Sequence, residues 1–463
     1  MSEISELVTE IERFCRDHRL AESTFGRLAV GNSKLMSRLR NGQGVTLRTV
    51  DKIRLYMQER SSPVDPQAAT LDIRMADISQ TGTEKADHEL PDQPFSFYHN
   101  RQKYLTFVNT CNEKPMIANR AAQEFQHIQP RPPGLRILDA GVGDGTLITQ
   151  LMRNMHHRHP SVPFFINAKE ISDENVRLFL SKLPDRFFEH PAMVVVITNL
   201  RYPDAPSLKP SDINTAAALK WKEVGLRGRS SFDFADQIEG LEKDLKQDWQ
   251  TQRSSISNKM VYRRPSVLVL YREDQRLLLD QLIPRVGTTD LYYDLILASH
   301  PWSAQETAKH KVENILAPLT RSLAAGGRLL VVQGYGDDPG NEILNMEWPD
   351  ANPFPVRRHE LVSLLKSELG RDAVTYNLNV LSDNKSLFQY RMHTIPSEIS
   401  ESLGTSTLLA AWNAVIYVGQ IEDQLLQTAL NRGTYLQSTR DVMRKHSGLW
   451  FNNECFVISK RRA

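Results

Sequence analysis

Glycine recurs at every second position in Asp139-Ala140-Gly141-Val142-Gly143-Asp144-Gly145. The apolar pair Ile137-Leu138 precedes this run and a helix-capable segment, Thr146–Met152, follows it. Strand, tight turn and helix start in that order let backbone approach a ligand, because no Cβ intervenes and the first helical N–H groups are free. Dinucleotide turns space their glycines G-x-G-x-x-G and seat pyrophosphate on the helix end. Here the spacing differs, and Asp139 places a carboxylate just ahead of the turn. A negative group there repels phosphate and suits a cationic ligand. Two further places carry chemistry: the acid Glu170 at the end of the next apolar run, and Ser299-His300-Pro301-Trp302 at the end of a later one. A histidine titrates near neutral pH and can take a proton from a nucleophile.

Positioning these residues calls for alternating strands and helices. Strands are expected at Arg136–Asp139, Phe164–Glu170, Met193–Thr198, Tyr293–Ala298 and Arg328–Gln333, with a last one at Glu454–Ser459. Thr146–Met155, Asp173–Leu183 and Lys309–Ala324 have helical periodicity. Alternation of this kind implies an α/β fold, a mostly parallel sheet with helices on both faces. Residues 205–265 exceed what a minimal sheet needs and read as a helical insertion over the ligand mouth. Within the following stretch, Val267–Tyr271 is either part of that elaboration or a core strand, and the sequence leaves both readings open.

The glycine-rich segment resembles the first motif of class I S-adenosylmethionine-dependent methyltransferases, whose ligand carries a sulfonium and an ammonium and no phosphate. The resemblance covers 135–335 and extends loosely over the rest of 95–463. It implies a Rossmann-like methyltransferase sheet and S-adenosylmethionine as cofactor, held by Asp139, Gly141, Gly143, Gly145, Glu170, Asn199 and Ser299. Glu170 matches the acid that accepts both ribose hydroxyls. Asn199, or else Asp204, takes the place of the Asp that usually bonds the adenine amine. Asp294 opens the fourth strand as in the family. Gly326-Gly327 matches the turn before the fifth, after which Tyr335 is a further pocket candidate. His300 and Tyr335 are the catalytic candidates, and Trp302 faces the acceptor. The reaction implied is methyl transfer to an unidentified acceptor, read as a small molecule. No metal is called for. Two alternatives stand beside it. Ser299, Pro301 and Trp302 agree with the Asp/Asn/Ser-Pro-Pro-aromatic tetrapeptide of DNA and RNA amino-methyltransferases, from which His300 departs. A regulator that senses S-adenosylmethionine without turnover is the other.

Residues 1–60 read as a separate helical unit. Ile4, Leu7, Val8, Ile11 and Phe14 form one apolar stripe. Two short helices follow, Ser23–Ala29 and Ser33–Leu39, with Asn32 as the N-cap of the second. They resemble the Cro/repressor helix-turn-helix, with Phe25, Ala29, Met36 and Leu39 at its core positions. The resemblance implies DNA contact through Asn32, Ser33, Lys34, Ser37 and Arg38. Tight half-site recognition would need a homodimer. Across 27–54 seven bases face one acid, while the opening helix is acidic. The whole chain of 463 residues has a net charge of only +2, so any basic footprint is local. Residues 61–94 have few large apolar side chains and read as a flexible linker. Three widely spaced cysteines read as reduced thiols. With no membrane-length apolar run, the chain is expected to be cytoplasmic and away from membranes.

Overall fold

The structure, a computed structural model, describes residues 3–17, 20–30, 35–40, 49–50, 53–54, 56–57, 101–254, 260–287, 291–394 and 403–462. The chain divides into two units, Met1–Pro91 and Asp92–Ala463. The linker expected at 61–94 lies outside the described residues, as do Asn32, Ser33 and Lys34.

In the first unit, helices run over Glu3–Asp17, Glu22–Val30 and Leu35–Arg40. Leu7, Ile11 and Phe14 are buried with Phe25, Leu35, Met36, Leu39 and Ile53. Phe14 and Phe25 meet edge to face at 5.6 Å, and Tyr56 packs on both. The apolar stripe of the first helix therefore faces the core that its spacing predicts. Ser37 and Arg38 lie on the exposed side of the third helix.

The second unit is built on one large sheet and a small hairpin. Its strands are β1 (Leu135–Asp139), β2 (Phe164–Lys169), β3 (Met193–Thr198), β4 (Lys220–Leu226), β5 (Thr251–Arg253), β6 (Met260–Tyr262), β7 (Ser266–Arg272), β8 (Tyr293–Ser299), β9 (Leu323–Gly334), β10 (Tyr376–Asn377), β11 (Leu387–Arg391) and β12 (Trp450–Lys460). The large sheet has the order β10-β12-β9-β8-β1-β2-β3-β7-β4, with β11 also on β12. The separate hairpin joins β5 to β6. The run from β3 through β1 to β9 is parallel, and β12 closes antiparallel on β9. This is a Rossmann-like α/β sheet, parallel at its centre and antiparallel toward its edges. Successive residues of its central strands serve opposite faces: Ile137, Ile166, Val195 and Leu295 on one, Leu138, Phe165, Val196 and Ile296 on the other. Burial on both faces explains why these strands read as unbroken apolar runs.

The chain order reverses at β1, whose neighbours are β2 and β8, so ligand is expected at the carboxyl ends of these strands. Val267–Tyr271 is a core strand: β7 is buried and pairs antiparallel with β3. Residues 205–265 are not purely helical. They supply β4, which extends the sheet edge parallel to β7, as well as helices and the hairpin. The helix expected at Lys309–Ala324 opens into a wider turn at Val312–Leu316. Pro318 lies just beyond it and offers no N–H to the regular ladder. Among the described residues no helix is long and apolar enough to cross a membrane.

Candidate functional site

The turn after β1 is fixed from both sides. Ala140 N–H bonds to Leu297 O of β8 at 2.8 Å, and Val142 N–H to Lys169 O of β2 at 3.0 Å. Asp139 is 2% exposed and accepts the Gly141 N–H at 3.2 Å. Burial drives its carboxyl up to about 7, against the pull of that N–H and of Lys114, and Glu170 adds to the rise. Asp144, which the sequence reading left without a role, closes the turn. It accepts the Tyr104 hydroxyl at 3.0 Å, the Lys182 ammonium at 2.6 Å and the Thr146 hydroxyl. These partners hold it below its ordinary value although burial alone would raise it.

The three glycines have different physical causes. Gly143 and Gly145 sit at φ +56° and +78°, a region that side chains disfavour. A Cβ on Gly143 would stand 2.9 Å from the Tyr104 hydroxyl, and one on Gly145 would collide with the Phe179 ring. Gly141 is exposed and has no left-handed φ. A Cβ there would meet nothing nearer than Ser299 O at 4.0 Å. Neither backbone conformation nor packing among the described residues requires glycine at 141.

Glu170 follows β2. Its Oε1 accepts the N–H groups of Ile171 and Ser172 at 2.8 and 2.9 Å, which fixes the carboxylate. No hydrogen bond to Oε2 is present among the described residues. The indole N–H of Trp249, from the 205–265 elaboration, bonds Glu170 O at 2.9 Å.

Asn199 does something other than the role expected of it. Its amide donates to Arg264 O at 2.9 Å and Asp248 O at 3.4 Å, and its Oδ1 accepts Ser266 N–H at 2.8 Å. At 2% exposure it ties β3 to the start of β7 and does not present its amide to a nucleobase. Asp204 is committed too, accepting Ser211 N–H and the Arg201 guanidinium. Sequence could not show this, because Asp248, Arg264 and Ser211 lie in the elaboration and Ser266 just beyond it.

At the end of β8, His300 has φ +49° and donates its N–H to Val332 O at 2.9 Å. Proline can adopt neither feature. The structure thus departs from the amino-methyltransferase tetrapeptide at the residue where the sequence does. His300 Nδ1 lies 3.3 Å from Ser299 Oγ, and Nε2 lies 3.6 Å from Glu113 Oε1. Burial lowers the imidazole below its ordinary value, against the pull of Glu113. Trp302 is buried, its indole N–H bonded to Gln333 Oε1 at 3.0 Å. Gln333 is held in turn by Glu454, which pairs with buried Arg358 at 2.9 Å. His300 and Trp302 line one cavity together with Glu113, Lys114, Lys311 and the rings of Phe107, Phe354, Tyr390 and Tyr417. Tyr335 is not among its lining residues. The Arg357 guanidinium lies 4.2 Å over its ring.

Glu113, Lys114 and Tyr390 had no role in the sequence reading. They come from the helix Glu113–Ala122 and from β11, far apart in the chain, and no motif links them. In the first unit, Arg40 pairs with Glu12 and Glu22, and Arg54 with Glu10. The basic charge counted over 27–54 is partly neutralised by acids of the first two helices.

No protein-family model matches the sequence, and no curated protein matches it. Among solved structures, the chain is similar to Haemonchus contortus phosphoethanolamine N-methyltransferase 2 in complex with phosphomonomethylethanolamine and S-adenosylhomocysteine. That match has 10% identity and a TM-score of 0.26, and covers 80% of this chain and 61% of that one. A geranyl diphosphate methyltransferase in complex with its diphosphate and sinefungin matches at 12% identity and TM-score 0.25, covering 75% and 78%. PKMT2 from Rickettsia typhi in complex with AdoHcy matches at 10% and 0.24, covering 80% and 54%. The chain thus spans less than two thirds of the first of these proteins. Similarity at this level fixes neither ligand nor acceptor.

Proposed function

We propose that the second unit binds S-adenosylmethionine at the Asp139–Gly145 turn and transfers its methyl group to an acceptor beside His300. The observation that carries this reading is Gly141. No described residue needs glycine there, so the missing side chain is explained by a ligand lying against the backbone at the switch point of the sheet. The surrounding acceptors fit a cationic nucleoside. Asp139 is a buried acid beside the turn, and Glu170 keeps one oxygen for ribose hydroxyls. Of the two lysines near the turn, Lys182 is bonded to Asp144 and Lys114 pairs with Glu113.

When bound, the cofactor supplies an activated methyl group on a sulfonium. The chain holds the nucleophile in line and removes its proton. His300 is the base in this reading, with Glu113 stabilising the imidazolium and Ser299 shaping the wall between turn and acceptor. Trp302, oriented through Gln333, bounds the acceptor.

Calorimetry tests the proposal. S-adenosylmethionine should bind the full chain and bind Glu170→Ala more weakly; equal affinity for that variant would remove the argument. Binding with no tritiated methyl transfer to any DNA, RNA or metabolite pool would make the protein a sensor rather than an enzyme. For the first unit, nucleic-acid contact through Ser37 and Arg38 predicts a salt-dependent gel shift that Arg38→Ala abolishes. An unchanged shift in that variant would remove Arg38 from the contact.

A further inference from the structure

The two ring nitrogens of His300 have neighbours of different kinds. At Nδ1 stands the Ser299 hydroxyl, 3.3 Å away, a group that can donate or accept. Ser299 is also the residue nearest the open side of Gly141. At Nε2 stands the Glu113 carboxylate, with Oε1 at 3.6 Å. The same Oε1 accepts the Asn453 amide N–H at 3.3 Å. Because a carboxylate cannot donate, that contact fixes which way the amide points. The amide oxygen of Asn453 is then left over: the side chain is fully buried, and its Oδ1 has no hydrogen-bond partner. Glu113 is buried as well, and its Oε2 lies 3.3 Å from the Lys114 ammonium. Three separate elements bring these groups together. His300 follows β8, Glu113 opens the helix Glu113–Ala122, and Asn453 belongs to β12, where it lies opposite Gly334 of β9.

We infer that Glu113 and Asn453 act together as positioning residues that keep a proton on Nε2 of His300, so that Nδ1 is the atom that takes the acceptor's proton. The inference rests on the cofactor reading above. A bare Nε2 would set its lone pair against the carboxylate, and among the described residues no hydrogen bond is donated to it. A protonated Nε2 gives Glu113 a donor and faces the spare Oδ1 of Asn453 as well. Nδ1 is then the free base, beside the residue that borders the cofactor turn. In the transfer, the acceptor's proton passes to Nδ1. The electron pair of the acceptor atom forms the bond to the methyl carbon as the S–C bond breaks, and the pair of the broken bond stays with the sulfur. The ring is now a cation, with Nε2–H directed at Glu113 and Asn453. These contacts are long in the resting protein and strengthen as the ring becomes charged, which places their stabilisation on the reacting state. Glu113 and Asn453 both favour the charged ring, against burial and against Lys114, which oppose it. The proton then leaves Nδ1 for solvent.

The tautomer can be read in the full chain with no acceptor present. Nitrogen NMR of histidine-labelled protein at neutral pH, with the His300 signals assigned by their loss in His300→Asn, should show a protonated Nε2 and a bare Nδ1. Glu113→Gln puts a group that can donate in front of Nε2, and should move the ring proton toward Nδ1. Asn453→Leu removes the amide at similar volume. It should lower the pH at which His300 titrates and leave the tautomer as it is, because Glu113 remains. Binding of S-adenosylmethionine to the natural protein is followed separately by calorimetry. A proton on Nδ1 in the natural protein, or an unaltered tautomer in Glu113→Gln, overturns the assignment of Nδ1 as the base, and cofactor binding in the same sample leaves the cofactor reading standing. An unchanged titration in Asn453→Leu overturns the part given to Asn453. Absence of cofactor binding overturns both readings. The natural protein alone decides the tautomer, so the test survives a variant that does not fold.

Discussion

Replacing Asp139 by asparagine exchanges a buried carboxyl for an amide of the same shape, and its consequences differ sharply with pH. Burial raises the folded-state carboxyl to about 7 from an ordinary value of 3.8. The native protein therefore holds a proton that the unfolded chain has already lost between these two values. Because the folded value is the higher one, the sign is clear: stability falls as pH rises through that window and levels off above 7. The full penalty of the buried charge above pH 7 is on the order of 4 kcal/mol. The amide introduced by Asp139→Asn would bring N–H groups without partners, which costs about 1–3 kcal/mol. Asp139→Asn should thus be more stable than the natural protein by about 1–3 kcal/mol at pH 8, a gain that disappears near pH 4. All six tryptophans lie in the second unit, so urea unfolding followed by tryptophan fluorescence reports that unit alone. The same variant should bind S-adenosylmethionine more weakly at pH 8. For the natural protein, affinity should rise about tenfold per pH unit below 7 and flatten above it. A variant no more stable than the natural protein at pH 8 would refute the claim that folding buries this charge for the sake of a ligand.

Gly145→Ala should cost about 2–5 kcal/mol in the same assay, adding left-handed strain to a collision with Phe179. Arg358→Met leaves Glu454 buried and unpaired and should cost about 3–5 kcal/mol, with most of the loss recovered by adding Glu454→Gln. Burial places the His300 imidazole below 6.5, so it is an unprotonated base at neutral pH. With S-adenosylmethionine held saturating at every pH, so that Asp139 does not limit binding, the methyl-transfer rate should be flat near pH 7 and fall on the acid side, and His300→Asn should remove that acid limb; an unchanged pH profile in this variant would remove His300 as the base.

The parallel centre of the sheet was legible because its strands are apolar on both faces and the turn after β1 carries its own signature. Ile137-Leu138, the glycines and Glu170 stand where the spacing puts them. What stayed hidden depends on contacts between distant segments. Asn199 and Asp204 look available in the sequence, but Arg264, Ser266 and Ser211 consume their hydrogen bonds. Val267–Tyr271 is too short to declare its partner by periodicity; only pairing with β3 makes it core. Glu113 and Tyr390 carry no local pattern at all. Their chemistry comes from burial beside His300, which a linear reading does not contain. Tyr335 was plausible by its place after β9, yet its ring lies under Arg357 and not in the cavity lining.

The central claim is that glycine at 141 makes room for a cationic nucleoside, and calorimetry of Gly141→Ala tests it most directly. The added methyl meets nothing among the described residues nearer than 4.0 Å, so thermal unfolding should not change. S-adenosylmethionine should bind the natural protein and bind the variant at least about tenfold more weakly, a loss of about 1.4 kcal/mol or more. Equal affinity in the two proteins, or binding of a nicotinamide dinucleotide in place of S-adenosylmethionine, would contradict it.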